Sequence, residues 1–153
     1  MKRNDIVLIV VIAVIALSSF ITILLMQRTS GDLALVTFHD PKEGDIEIIQ
    51  IDLSDGSFVI LNESLVYFPT GNEEKEVYRR CFNEDNIYCV LGALGVVVIE
   101  FSENRVRVIE ETSPQNICQI QGFTNSPLKP LTCLPNYISI TVITEDDGLD
   151  FNS

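Results

Sequence analysis

The sequence holds four cysteines and one histidine, and their spacing limits the chemistry they can do. Cys81, Cys89, Cys118 and Cys133 contain no C-x-x-C pair of the thioredoxin kind and no close pair of the zinc-finger kind. With one histidine available as a further ligand, neither a metal site nor a cofactor is expected. Four cysteines allow three pairings, and local order favours Cys81–Cys89 and Cys118–Cys133 as structural disulfides. His39 and Asp40 are the one histidine–carboxylate neighbour pair, but adjacent strand residues point to opposite faces, so they cannot act together there. Gly92-Ala93-Leu94-Gly95 lacks the spacing of a dinucleotide loop, and Glu145-Asp146-Asp147-Gly148-Leu149-Asp150 lacks that of an EF-hand. Asn62-Glu63-Ser64 fits the glycosylation triplet, which has meaning only in a eukaryotic host. No catalytic residues are assigned.

The elements that must position these residues begin with an apolar run. Residues 6–26 carry no charge, and 18 of those 21 are apolar. As a helix the run is about 31 Å long, close to the ~30 Å hydrocarbon thickness of a bilayer. Lys2 and Arg3 lie before it, while Arg28 and then Asp32 follow, so the amino terminus is expected in the cytoplasm. Gln27-Arg28-Thr29-Ser30-Gly31 is a poor signal-peptidase site, which favours an uncleaved anchor. From Arg28 onward there are 8 Lys and Arg against 21 Asp and Glu. That acidic balance repels phosphate backbones, so no nucleic-acid partner is expected.

After Met26 there are 24 Val and Ile but 2 Ala, which suits strands and disfavours helices. Residues 33–38 form a first run. Residues 46–53 alternate with a slip at Ile48-Ile49, the pattern of a strand with a bulge, and turn at Ser54-Asp55-Gly56-Ser57 into residues 58–61. Residues 65–68 read as a strand, and residues 77–82 with 87–91 as a hairpin in which Cys81 faces Cys89 and Phe82 faces Tyr88. Residues 96–101 and 105–109 flank Ser102-Glu103-Asn104 as the clearest hairpin, with Arg105 and Arg107 on one face and Val106 and Val108 on the other. Residues 137–143 form the last strand. The fold expected is mainly β, a small barrel or sandwich preceded by a single N-terminal transmembrane helix. Its organisation is a cytoplasmic terminus at 1–5, an anchor at 6–26, a linker at 27–32, an extracytoplasmic β domain at 33–143 and an acidic flexible tail at 144–153.

The stretch Arg105-Val106-Arg107-Val108-Ile109-Glu110-Glu111-Thr112-Ser113-Pro114-Gln115-Asn116-Ile117-Cys118, then Gly122, Cys133-Leu134-Pro135-Asn136 and the last strand resembles the NusG domain II-like family. Those are short extracytoplasmic proteins with an amino-terminal anchor, whose pattern runs V-R-V, C-P-D-x-x-C, a Gly, C-L-P-N and a strand. Cys118, Gly122, Cys133, Leu134, Pro135 and Asn136 fall on that pattern over about 40 residues, while Ser113 stands where the family often has its first Cys. Cys81 and Cys89 look like part of an addition. The resemblance implies a compact barrel-like domain outside the membrane and no role in transcription. It also implies an accessory place beside membrane flavin, quinone or small-molecule transport components.

The function these observations support is a non-enzymatic, membrane-anchored external module. Its partners would be the lipid bilayer, through residues 6–26, and a membrane or envelope protein. Phe123, Pro127, Leu128, Pro130 and Leu131 are the candidate contact surface, unless Phe123, Leu128 and Leu131 fold back onto the domain. The alternative is a thiol–disulfide or electron-transfer accessory in which one cysteine pair cycles.

Overall fold

The computed structural model describes residues 3–26, 31–71, 73, 75–84 and 86–144. Of the linker expected at 27–32, residues 27–30 lie outside the described residues, as do residues 145–153 of the acidic tail expected at 144–153. Residues 31 and 32 belong to the domain: Gly31 N–H donates to the Asn125 carbonyl at 2.8 Å and Asp32 N–H to that of Ile143 at 2.9 Å.

Helix α1 spans Arg3–Met26. Its side chains are described over residues 11–22, about 18 Å of helix, and no helix among the described residues is long and apolar enough to cross a membrane.

The rest is mainly β. The strands are β1 Leu33–Asp40, β2 Gly44–Asp52, β3 Phe58–Ile60, β4 Ile87–Leu91, β5 Val96–Ser102, β6 Arg105–Glu110, β7 Leu131–Cys133 and β8 Ile138–Ile143. They form two antiparallel sheets, one ordered β3-β2-β1-β8-β7 and one ordered β4-β5-β6. The sheets do not close into a barrel, so the sandwich alternative holds. Between them lie Ala34, Val36, Ile49, Ile51, Ile138, Ile140 and Val142 from the larger sheet, against Tyr88, Val90, Val97, Ile99, Val106 and Val108 from the smaller.

The slip at Ile48-Ile49 is a bulge. Val36 pairs with Ile49 and Thr37 with Glu47, leaving Ile48 as the extra residue. Both isoleucines are thereby buried, and the Ile48 carbonyl accepts from Leu61 N–H and Asn62 N–H. The β5–β6 hairpin forms as expected. Glu103 and Asn104 both have positive φ, at 51° and 60°, as a two-residue type I′ turn requires.

Two expected strands do not form. Residues 63–65 make a 3-10 turn, after which Val66 makes one isolated bridge to Val90. Residues 77–82 contribute instead to helix α2, Glu76–Arg79, and to a turn in which Phe82 has φ 56° and donates its N–H to the Ile87 carbonyl. The reason lies in the smaller sheet. Val97 and Ile99 face the main core, while Val96, Val98, Ile87 and Cys89 lie on the opposite face, covered by Tyr67, Val77, Tyr78 and Phe82. Tyr67, Val77, Tyr78 and Phe82 therefore form a lid over that second face and not a further strand. The uninterrupted run Val96-Val97-Val98-Ile99 carries the corresponding signal, since a strand buried on both faces loses its alternation.

Within the lid, the Glu73 carboxylate accepts N–H bonds from Thr70 and from Gly71, the latter at 3.0 Å. Burial works to raise its pKa, but N–H groups of Glu73 itself, Thr70 and Gly71, with the Thr70 hydroxyl, outweigh burial. The net effect holds the group below its ordinary 4.5. A carboxyl with a depressed folded-state pKa contributes stability that is complete above its unfolded pKa and is lost as pH falls through the folded value. Glu73→Gln should therefore lower the melting temperature at pH 7, with the gap from the parent closing as pH falls below about 4.5. Thermal melts of both proteins across that range check this.

Gly56 marks a second constraint. It has φ +80°, and a Cβ there would lie 2.7 Å from the Phe101 ring, while the buried Tyr88 hydroxyl donates to its carbonyl. Gly56→Ala should cost about 1–3 kcal/mol, read as a lower urea midpoint for the chain in mild detergent.

Candidate functional site

The most unusual grouping lies where β6 ends. Glu111, directly after that strand, is 2% exposed. Its Oε1 accepts from Cys118 N–H at 2.8 Å, and its Oε2 lies 3.5 Å from Asn136 Nδ2. Cys118 sits in helix α3, Ile117–Gln121, and is bonded to Cys133 of β7 with the Cα atoms 5.2 Å apart. Glu111 and the two sulfurs bring one ligand atom each to within 4.8 Å of one another, all three residues being buried. Gln121 fastens α3 to β7 a second time, donating to the Thr132 carbonyl at 2.9 Å and accepting from Thr132 N–H at 3.1 Å.

Asn136 connects this group to the smaller sheet. Its carbonyl accepts from Ala93 N–H at 2.9 Å, its Oδ1 from Leu94 N–H at 3.2 Å, and its Nδ2 donates to the Thr112 carbonyl at 3.3 Å. Gly92 permits that approach, because a Cβ there would meet Asn136 atoms at 2.8–2.9 Å. The Gly92-Ala93-Leu94-Gly95 turn thus receives an asparagine side chain.

Sequence reasoning did not single out Glu111, for a physical reason. Val106 and Val108 point inward, so simple alternation places Glu110 inside and Glu111 outside. The register shift in the β5–β6 ladder leaves Ile109 as an extra residue and inverts that order. A second slip in a well-patterned hairpin was the missing signal.

His39 has partners other than Asp40. Its Nδ1 is 2.6 Å from Asp45 Oδ1 and its Nε2 2.7 Å from Ser139 Oγ, whereas Asp40 accepts from Lys42 and Glu43 N–H in the turn. Those two N–H bonds hold Asp40 below the usual carboxylate pKa. The order serine, histidine, aspartate is that of a nucleophile, base and orienting group. However, Ser139 lies on a strand paired on both sides, with Thr37 and Thr132. The backbone around Ser139 thus serves the ladder on both sides. The hydrogen-bonded chain links three neighbouring strands, His39 of β1 to Asp45 of β2 and Ser139 of β8.

The candidate contact residues separate. Leu131 is fully buried, since in β7 it alternates inward with Cys133; it belongs to the core and is withdrawn from the contact surface. Phe123 is half-buried against two guanidinium groups, with Arg107 Cζ 4.5 Å and Arg105 Cζ 4.9 Å from its ring centroid. Pro127 is half-buried and Pro130 exposed. Leu128 stands 66% exposed, while Lys129 Nζ holds the loop by donating to the carbonyls of Gln121 and Phe123. Of the family-pattern residues, Gly122 ends α3 with φ 70°, and Leu134 and Pro135 form the exposed turn before Asn136. Asn62 accepts from Ser64 N–H and Oγ, capping the 3-10 turn.

The second cysteine pair also forms as expected, joining Cys81 after α2 to Cys89 of β4 with Cα atoms 5.5 Å apart. Together these features define a small antiparallel two-sheet domain stapled by two local disulfides. The chain belongs to the NusG domain II family, whose model matches residues 66–146, just over half of its length. That span is wider than the stretch carrying the resemblance in the sequence, and it contains Cys81 and Cys89. No curated protein and no solved structure matches the chain.

The two bridges should differ in what they contribute. In the chain-entropy model the 15-residue closure of Cys118–Cys133 is worth about 3 kcal/mol and the 8-residue closure of Cys81–Cys89 about 2.5 kcal/mol. Paired Cys→Ala variants measured by urea unfolding should both lose stability, with Cys118→Ala plus Cys133→Ala losing more.

Proposed function

We propose that this protein is a membrane-anchored extracytoplasmic interaction module that docks to a membrane or envelope protein and carries out no reaction itself. The observation that carries the reading is the 123–130 loop. It presents exposed Leu128 and Pro130 on a base made firm by Phe123, Arg105, Arg107 and Lys129. Through Asn125 it bonds Gly31, five residues after the end of α1, a reach of at most about 18 Å.

Anchoring is supported by the uncharged run at 6–26, and by Val11, Ile12, Val14, Ile15, Leu17 and Phe20, which are all exposed and would be covered by lipid. The Lys2–Arg3 flank favours a cytoplasmic amino terminus, and two disulfides suit an oxidising side.

The test is a crosslinking pull-down from membranes that compares the parent with Phe123→Ala plus Leu128→Ala. Loss of a partner at unchanged melting temperature is the expected outcome; the same partners at the same melting temperature overturn the docking surface. Cysteines found reduced and shielded from the outside of intact cells overturn the orientation.

A further inference from the structure

We propose that Glu111, Cys118 and Cys133 form a redox-gated site for a thiophilic divalent cation of the Zn²⁺ type, closed while the disulfide stands and opened when it is reduced. Two thiolates and a carboxylate are a donor set that such an ion accepts, leaving a fourth position for water. The three ligand atoms already lie within 4.8 Å of one another. Around a tetrahedral zinc they sit about 3.3–3.8 Å apart, so once the bridge is reduced the two sulfurs separate to that spacing and the Glu111 oxygen moves in, changes of the size that side-chain rotation supplies.

Two further features fit this reading. A carboxylate buried beside an apolar disulfide is costly unless it is well partnered. Glu111 has one short N–H bond, and its Asn136 contact is at the outer limit of a hydrogen bond. A dication would compensate its charge. The cluster lies beside the surface: a groove of about 580 Å³ counts Glu111 in its lining with Lys75, Leu94, Glu110, Thr112 and Asn116, while the two sulfurs lie behind it, fully buried. Among the described residues no carboxylate or histidine joins Cys81 and Cys89 in such a group, so that bridge serves as an internal control.

The chemistry balances with a dithiol as reductant. The dithiol transfers two electrons and two protons, the Cys118–Cys133 bond breaks to two thiols, and the reductant closes to its own disulfide. Binding of Zn²⁺ then releases both thiol protons to water as the sulfurs become thiolate ligands, with the Glu111 carboxylate as the third ligand.

The experiment uses the full chain in mild detergent, reduced with a phosphine without oxygen and titrated with Cd²⁺. The readout is thiolate-to-Cd²⁺ charge-transfer absorption, with folding followed by circular dichroism. Reduced Cys81→Ala plus Cys89→Ala protein should bind one Cd²⁺, the oxidised chain should show no such band, and Glu111→Gln should weaken binding at least ~10-fold. In the parent background, Cys118→Ala plus Cys133→Ala should remove the tightest uptake, which tests the site even if the other variant fails to fold. Uptake unchanged by Glu111→Gln, or surviving in full without Cys118 and Cys133, overturns the proposal.

Discussion

The arrangement of this domain depends on one buried amide. Asn136 engages the 92–95 turn through its carbonyl and Oδ1, and the segment after β6 through Nδ2. It thereby joins the two sheets, between which, among the described residues, neither a strand ladder nor a disulfide runs. A buried amide with each polar atom engaged is stabilising, whereas a partly satisfied one is worse than a hydrocarbon. That asymmetry accounts for the small residues and turns around it. Gly92 must lack a Cβ, and the turn before Asn136 must bring its backbone to Ala93. The Leu134-Pro135-Asn136 sequence, one of the more recognisable parts of the chain, is thus a positioning device for a hydrogen-bond network.

A second constraint is the outer face of the smaller sheet. Two packed sheets cover each other on one face each, and the far face of the three-stranded sheet carries Val96, Val98, Ile87 and Cys89. Burying a Val or Ile side chain is worth roughly 1.5–3 kcal/mol, so a cover is strongly favoured. The lid provides it with Tyr67, Val77 and Tyr78, the two tyrosine rings 5.8 Å apart. The Cys81–Cys89 bridge fastens that lid directly to the strand it covers.

Local pattern made much of this legible. The bulge at Ile48-Ile49, the turn at Glu103-Asn104, the shared face of Arg105 and Arg107, and both cysteine pairings follow from alternation, turn chemistry and short separations. The failures have a common origin in long-range contacts. Residues 77–82 contain apolar and β-branched types that suit a strand, yet their surroundings ask for a cover and not for an edge. Glu111 was hidden because the extra residue Ile109 inverts the inside–outside order that Val106 and Val108 set. His39 finds Asp45 across a turn and Ser139 from a strand 100 positions away, and no spacing rule for neighbours can indicate that.

The same segment holds both the cluster and the contact loop. The Cys118–Cys133 bridge encloses residues 119–132, which include Phe123, Pro127, Leu128 and Pro130, and its first cysteine hangs on the Glu111 carboxylate through a backbone N–H. Closing a loop restricts its conformations, and opening it returns that freedom. Phe123 against its two arginines and Lys129 on the Gln121 and Phe123 carbonyls would still tether the middle of the segment, but α3 would lose its covalent tie to β7. A change at the bridge is therefore felt first in α3 and at the Gln121–Thr132 pair. The exposed Leu128 is held by contacts that do not themselves involve sulfur, but one of them, Lys129 on the Gln121 carbonyl, ends on α3. Surface and cluster thus share a loop and, at Gln121, a fastening, so a change at the bridge reaches the surface through α3.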